Sequence, residues 1–360
     1  MPDLARTPSG ASAESEASPA VGQIFRYTIV VTFSQLYRLA LEMSAHRNSY
    51  LLVLALCLFC SGPPAAQAQG ESLRPKDGQQ NFTLSLDVQL VSLNVTVVDH
   101  RGRFVPGLTK EQFQIWEDKA PQEIQLFHDH DVPVSIGLVV DSSGSMRENR
   151  RAVNAAALAF VQSCKPEDEM FVVNFNEKVE LGLPPEEPFS NNPEKLQSAL
   201  TRLVVRGQTA LYDAIWLGLE HLQQGRHDKK ALVVISDGAD NTSSHGFRET
   251  LISAQKSQAA IYSIGIYQAD SEDRDPKSLR QISKATGGEA VFPESIEDVQ
   301  AVCQHFARTI RSQYALGYSP SNTAKDGTYR TIRVAVSAPG ERKLEAKTRE
   351  GYYAPLVKRP

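Results

Sequence analysis

The chain has 360 residues, 41% of them hydrophobic and 22% charged, with a formal net charge of -4. That supplies enough apolar material for one or two ordinary cores and excludes wholesale disorder. No basic excess points to nucleic acid as a partner.

Residues 1–20 are rich in Ser, Ala, Glu and Pro without an apolar period, and the apolar stretch 24–43 is broken by Arg26 and Arg38. His46-Arg47-Asn48, the apolar run 50–60 and Ala66-Gln67-Ala68 then follow in the order of a secretory signal: basic region, short core, small-residue cleavage site. The run is too short to span a bilayer, which takes roughly 20 apolar residues. The expected start is therefore Met43, with residues 1–42 a mis-assigned or disordered extension and 43–68 a signal peptide. Cleavage after Ala68 leaves a secreted or periplasmic chain beginning at Gln69, with no transmembrane segment expected beyond it. Of its two cysteines, Cys164 and Cys303, the sequence leaves a bridge open and favours two buried thiols.

A β region is expected over 78–131. Residues 82–98 alternate in two phases, slipping before Leu93, and read as two strands; 113–116 and 124–127 are short strands, and Gly, Pro and Asp turns divide them, with 117–121 read as a turn. Val134, Ile136, Leu138 and Val140, with small Ser135 and Gly137 between them, then read as a strand buried on both faces. From there strands and helices alternate over 132–311. Strands are expected at 170–175, 231–235, 260–266 and 289–292, with an edge strand at 179–181. Helices are expected from about Met146 through 161, and at 193–203, 210–222, 248–257, 276–286 and 295–310. The fold class is α/β, a doubly wound, mainly parallel Rossmann-like sheet. Over 312–355 the β character returns, with strands at 314–318, 329–336 and 343–347. Neither β half can bury a sheet face alone, so both chain ends are expected to form one sandwich with the α/β domain inserted between them.

Three loops bring hard oxygen donors to the end of the expected sheet where parallel strands finish: Asp141, Ser143 and Ser145 after the first buried strand, Thr209 ahead of a helix, and Asp237 after the strand at 231–235. Carboxylates and hydroxyls without His or Cys suit Mg²⁺, with Mn²⁺ or Ca²⁺ as substitutes. Two carboxylates and neutral hydroxyls leave such an ion able to take one more anionic ligand, an Asp or Glu from a partner protein. Each residue also has an ordinary role open to it, as a helix cap or in an Asp-Gly turn. Caps alone do not explain why all three loops share an edge.

D-S-S-G-S at 141–145, R-G-Q-T at 206–209 and S-D-G at 236–238 together resemble the metal-ion-dependent adhesion site of von Willebrand factor type A domains. The resemblance covers about 134–311. It implies direct metal contacts from Ser143, Ser145 and Thr209, a largely water-mediated one from Asp141, and a direct or water-mediated one from Asp237. V-x-V-x-D-x-x-G at 95–102, G-L-T-x-x-x-F at 107–113, T-G-G at 286–288 and Q-Y-x-L-G-Y-x-P at 313–320 extend it to secreted proteins of this family abundant in Acidobacteria.

The expected function is secreted, divalent-metal-dependent protein binding, with an envelope scaffold as the alternative and a metal-dependent hydrolase as the weaker one. Neither a nucleophile elbow, nor a phosphate-binding glycine loop, nor H-E-x-x-H occurs. Asp213 is expected to support its loop, Asp240 to cap or face water, and His245 to lie on a surface loop. His128 and His130 are two candidate ligands for Zn²⁺ or Cu²⁺ but not a site, and 128–131 reads as a solvated linker. Trp116 and Trp216 read as packing residues, and Arg202, Arg206, Lys229 and Lys230 as surface. The proline-rich loop 183–190 is a candidate partner contact, provided that it borders the metal edge.

Overall fold

The computed structural model describes residues 90–129, 131–202, 205–267, 274–295, 297–338 and 343–356, all within one compact unit. The expected extension and signal peptide, and nearly all of the strand expected over 82–90, lie outside these residues.

Four strands open the described chain: β1 (Val91–Val98), β2 (Phe113–Glu117), β3 (Ala120–Gln122) and β4 (Leu126–His128). The strand β3 replaces much of the expected turn at 117–121. Asp118 and Lys119 take positive φ angles of 45° and 71°, which closes a two-residue hairpin and sets Ala120 opposite Glu117. Pro121, the residue that argued against a strand, is tolerated because β3 is an edge.

The α/β part runs through β5 (Val134–Asp141), α1 (Arg150–Ser163), β6 (Glu169–Phe175), β7 (Val179–Leu181), α2 (Pro193–Leu200), α3 (Leu211–Leu222), β8 (Lys229–Ser236), α4 (Phe247–Lys256), β9 (Ala260–Gly265), α5 (Pro276–Thr286), β10 (Ala290–Val291) and α6 (Asp298–Arg311). Its six-stranded sheet has the order β10-β9-β8-β5-β6-β7, parallel except for β7 at the edge. Every residue of β5, β6 and β9 is buried, as helices on both faces require. Gly137 is small for a packing reason: a Cβ there would lie 2.4 Å from both Leu232 Cδ2 and Phe171 Cζ. The first helix starts later than expected, because a single 3₁₀ turn at Gly144–Met146 comes before α1.

The chain closes with β11 (Tyr314–Tyr318), β12 (Tyr329–Val336), β13 (Glu345–Lys347) and β14 (Gly351–Tyr353). The two chain ends interleave in two four-stranded sheets, β13-β1-β11-β4 and β14-β12-β2-β3. Leu93, Val95 and Leu316 from one sheet and Phe113, Ile115 and Ile332 from the other share one hydrophobic core. Inside it the Arg330 guanidinium, 1% exposed, pairs with Glu117 at 3.3 Å. The hydroxyls of Tyr318 and Tyr352 donate to the same carboxylate at 2.7 and 2.9 Å.

Several flanking motifs fasten this β part to the α/β part. Gln313 Nε2 donates to Thr96 Oγ1 at 3.2 Å and to the Tyr262 hydroxyl at 3.0 Å, joining β1 to β9. Gly287 allows close approach of the C-terminal β part, where a Cβ would meet Arg349 N at 2.5 Å, and Gly288 packs within the α/β part, where one would meet Ile261 O at 2.0 Å. Arg311, at the end of α6, pairs with buried Asp168 and, at 2.6 Å, with Asp131, which also pairs with Lys165.

Three surface assignments change. Lys229 is buried at 6% exposure against Arg311, and Lys230 donates Nζ to the carbonyls of Leu222 and Gly225, so neither is an ordinary surface lysine. His128 belongs to β4 opposite Ala315 and Asp131 is ion-paired, so 128–131 is not simply a solvated linker; His130 lies outside the described residues. The loop 183–190 ends with Ser190 bonded in both directions to Met170 at the start of β6, and His221 Nε2 donates to Pro188 O at 2.8 Å. It therefore follows the sheet away from the edge where β5 and β8 end. Both described cysteines are free thiols: Cys303 is buried and Cys164 half-buried.

Candidate metal centre

β5 and β8 lie side by side and parallel, so Asp141 and Asp237, at or just past their ends, fall on one edge. Ser143 and Ser145 follow in the 3₁₀ turn. Their hydroxyls stand 3.0 Å apart, and Ser145 Oγ donates to Asp237 Oδ2 at 2.6 Å. Asp141, with no exposed surface, sits behind them: Oδ1 accepts from Ser143 N at 2.7 Å and Oδ2 from Ser236 Oγ at 2.6 Å.

Thr209 arrives through its loop. Arg206 N donates to Ser142 O and Gly144 N to Gly207 O, both at 3.1 Å, which lays 206–207 against the serine turn. Gly207 has φ 73°, a backbone conformation that favours glycine at this crossing. Thr209 is 4% exposed; its N–H donates to Asn241 Oδ1 at 2.9 Å and its carbonyl accepts from Asn241 N at 3.0 Å, tying it to the loop after Asp237. Ser143, Ser145 and Asp237 are thus joined through side chains, Asp141 to them through the Ser143 N–H, and Thr209 through backbone.

The donor set fits a hard divalent ion. The oxygens gathered at this edge are carboxylate and hydroxyl, the donor types that a hard cation such as Mg²⁺ takes. Burial, and then the nearby Asp237 charge, push the Asp141 carboxyl up to about 7, against hydrogen bonds from Ser143 and Ser236 that lower it. Neither carboxylate forms an ion pair with a described residue. Among the described residues no cluster of three or more His, Cys, Asp or Glu is placed to hold a metal.

Arg150, Ser236 and Asn241 carried no signal of their supporting role in the sequence, whereas Asp213 and Asp240 were expected to support a loop and to cap. Arg150, in the first turn of α1, donates to Asp141 O at 3.1 Å, Ser142 Oγ at 2.6 Å and Leu200 O at 2.7 Å. Ser236 and Asn241 hold Asp141 and Thr209 as described. Asp213 accepts from the N–H groups of Ser244 and His245 and from His245 Nδ1, and Asp240 accepts from Tyr212 N, so the two brace the loop and the start of α3. The His245 ring stacks on Trp216 at 4.1 Å, and Trp216 Nε1 donates to Thr250 Oγ1. Among the described residues no helix is long and apolar enough to cross a membrane.

Comparison with known proteins places these features. Residues 136–239, which hold all five candidate ligands, match the model of the von Willebrand factor type A domain. An uncharacterized protein of Synechocystis sp. is 27% identical over 113 residues, 31% of this chain and 26% of the relative, so the match spans about a quarter of that protein. Among solved structures, a von Willebrand factor type A protein from Catenulispora acidiphila is 12% identical with a TM-score of 0.45, covering 74% of this chain and 73% of its own. Proximal thread matrix protein 1 of the mussel byssus, with a zinc-occupied MIDAS motif, is 18% identical with a TM-score of 0.42, covering 50% of this chain and 48% of its own. The family match assigns residues 136–239 to a von Willebrand factor type A domain.

Proposed function

We propose that this chain is an exported, non-enzymatic protein-binding module. Its metal edge takes one divalent cation, Mg²⁺ first and Mn²⁺ or Ca²⁺ as substitutes, and a partner's Asp or Glu completes the shell. Asp141 and Asp237 supply charge, while Ser143, Ser145 and Thr209 supply neutral oxygens that leave the ion electrophilic. The observation that carries this reading is a pair of carboxylates, 0% and 4% exposed, at one sheet edge beside the hydroxyls of Ser143 and Ser145, with no ion pair from a described residue to either; the Arg150 guanidinium bonds the Asp141 backbone carbonyl rather than its carboxylate. Burying charge without compensation is costly, and a cation held there removes the cost. The signal-like order over 43–68 supports export.

The test is Mg²⁺ titration calorimetry on chelator-treated protein, together with capture on an immobilised Asp-bearing peptide in Mg²⁺, in EDTA and with Asp141→Ala. Uptake with capture only by the wild type in Mg²⁺ is expected; equal capture in all three refutes the mechanism. The scaffold alternative, in which the two β sheets make the interface, predicts metal-dependent melting with metal-independent binding.

A further inference from the structure

Beside the proposed metal edge the sheet ends in a row of stacked planar groups with no role so far. β9 finishes one strand over from β8 and is followed by Tyr267; β10 finishes two strands over and is followed by Phe292. Their rings stack with centroids 5.6 Å apart and 13° between planes. Arg274 lies over Tyr267 at 5.7 Å and Arg280 over Phe292 at 4.2 Å, and both arginines are exposed. The row is anchored: a Cβ on Gly265 would meet Phe292 Cδ1 at 2.3 Å and the Tyr267 hydroxyl at 2.7 Å. It also adjoins the metal edge. Ile266 N donates to Ser236 O at 3.1 Å, and a Cβ on Gly238, next to Asp237, would lie 2.6 Å from Asp275 O.

Aromatic faces hold a guanidinium in place without neutralising it, so its N–H groups stay free for an anion. Neither arginine forms an ion pair with a described residue. Asp275 is occupied as the cap of α5, accepting from Lys277 N and Ser278 N. On the opposite flank Asp213 holds His245 and Asp240 holds Tyr212 N at the start of α3, and among the described residues no such cation pair lies there.

We infer that the Arg274–Tyr267–Phe292–Arg280 row is a second recognition site, which binds acidic side chains flanking the carboxylate that the metal takes, so that the partner is an acidic peptide segment. The inference rests on the metal reading for its anchor. Adjacent strands lie about 4.8 Å apart, which puts the row about 5 to 10 Å from Asp237. An extended peptide advances about 3.3 Å per residue, so the flanking acids fall two or three residues from the metal-bound one.

Two fluorescent peptides test it, Glu-Glu-Ser-Asp-Ser-Glu-Glu and Gln-Gln-Ser-Asp-Ser-Gln-Gln, symmetric so that chain direction does not matter. Anisotropy is measured in Mg²⁺ and in EDTA with the full chain and with Arg274→Gln/Arg280→Gln. Two exposed charge pairs give the acidic peptide about a five- to tenfold advantage on the wild type, falling toward one in the double variant. Both arginines are exposed, so the double variant should stay folded with only a small loss of melting temperature from the two ring contacts, and Mg²⁺ uptake should not weaken. An advantage that survives in the double variant, or is absent from the wild type, overturns the inference. If Mg²⁺ strengthens neither peptide, the metal reading fails, while the ratio in EDTA still reports on the row. Changing Asp270, Glu272 and Asp273 to their amides tests the chain's own acids as occupants: a gain above tenfold overturns a partner role, and an unchanged ratio supports it.

Discussion

Replacing Arg150 by Met tests whether the serine turn is held by the helix behind it. The guanidinium makes three hydrogen bonds, to Asp141 O, Ser142 Oγ and Leu200 O, at 3.1, 2.6 and 2.7 Å. Hydrogen bonds to a charged group are worth about 1.5–3 kcal/mol each when buried. Discounting for the half-exposed side chain leaves a loss of about 3 kcal/mol. For a unit of this size that corresponds to about 6–12 °C in melting temperature. Two effects on metal binding oppose each other: losing a positive charge favours a cation, and losing the turn's support disfavours it. Supporting residues around metal sites typically matter by 10–100-fold in affinity, more than one partly screened charge contributes, so Mg²⁺ affinity should fall in Arg150→Met. Arg150→Lys keeps the charge without the planar fork, and should weaken Mg²⁺ as well. Melting curves in EDTA and calorimetry in Mg²⁺ separate the contributions. A Met variant that melts within about 2 °C of wild type, or that binds Mg²⁺ more tightly, refutes the argument.

Asp141→Asn keeps the shape and can still accept from Ser143 N, but removes a buried charge. It should melt no lower than wild type in EDTA and lose the Mg²⁺-induced rise; a lower melt in EDTA with the rise intact would contradict this. Burial lowers Lys229 from 10.5 to about 8. Between those values the unfolded chain binds the extra proton, so this residue's destabilising contribution, roughly 3 kcal/mol when fully present, applies below about pH 8 and is relieved as pH rises toward 10.5. Lys229→Met should therefore be more stable than wild type in urea melts at pH 7, by an amount that vanishes near pH 10.5. Arg330→Met strands the buried Glu117 and should cost about 3–5 kcal/mol, with Glu117→Gln in the same chain recovering part of it. Gly288→Ala, against the Ile261 carbonyl, should cost more than Gly137→Ala, whose neighbours Leu232 and Phe171 can repack for about 1–3 kcal/mol. The reverse order in chemical denaturation would show that backbone approach at Gly288 is not limiting.

The parts of the fold legible in the sequence are those set by local pattern. Four buried strands and six helices follow from apolar period and length, and the edge position of β7 from its brevity. Asp141, Ser143 and Ser145 were visible because a buried strand ends in an oxygen cluster, and Asp237 because a second does the same. Contacts made over long sequence separations were not visible. Arg150 resembles any helix-surface arginine until the loop carrying Ser142 folds over it, and Lys229 resembles its neighbour Lys230. Arg274 and Arg280 gain their setting only when β9 and β10 bring Tyr267 and Phe292 alongside. β3 and β14 are three residues each, too short to show a period, and they exist because β2 and β12 offer them an edge.

The flanking motifs answer a question that the metal edge alone leaves open: why a domain of this family is built into a sheet pair made from both chain ends. The chain enters the α/β part beside Asp131 and leaves it at Arg311, and these two side chains pair at 2.6 Å. Asp168, also bound by Arg311, accepts from Val134 N at the first residue of β5. The start of β5 is thus fixed to the end of α6 by a buried charge, and β5 runs directly from there to Asp141. Gln313 repeats the attachment at β9, the strand that leads to Tyr267. A tie at one end of a fully buried strand constrains the other, because close-packed interiors transmit displacement rather than absorb it. The ties at Arg311 and Gln313 therefore bear on the placement of the edge that carries Asp141 and Asp237. Cutting the Arg311 tie with Arg311→Met should lower Mg²⁺ affinity even though no ligand changes, and Asp168→Asn/Arg311→Met, which leaves no uncompensated charge, should restore stability more than affinity. Equal recovery of both in melting and calorimetry would mean that the tie stabilises the fold without reaching the site.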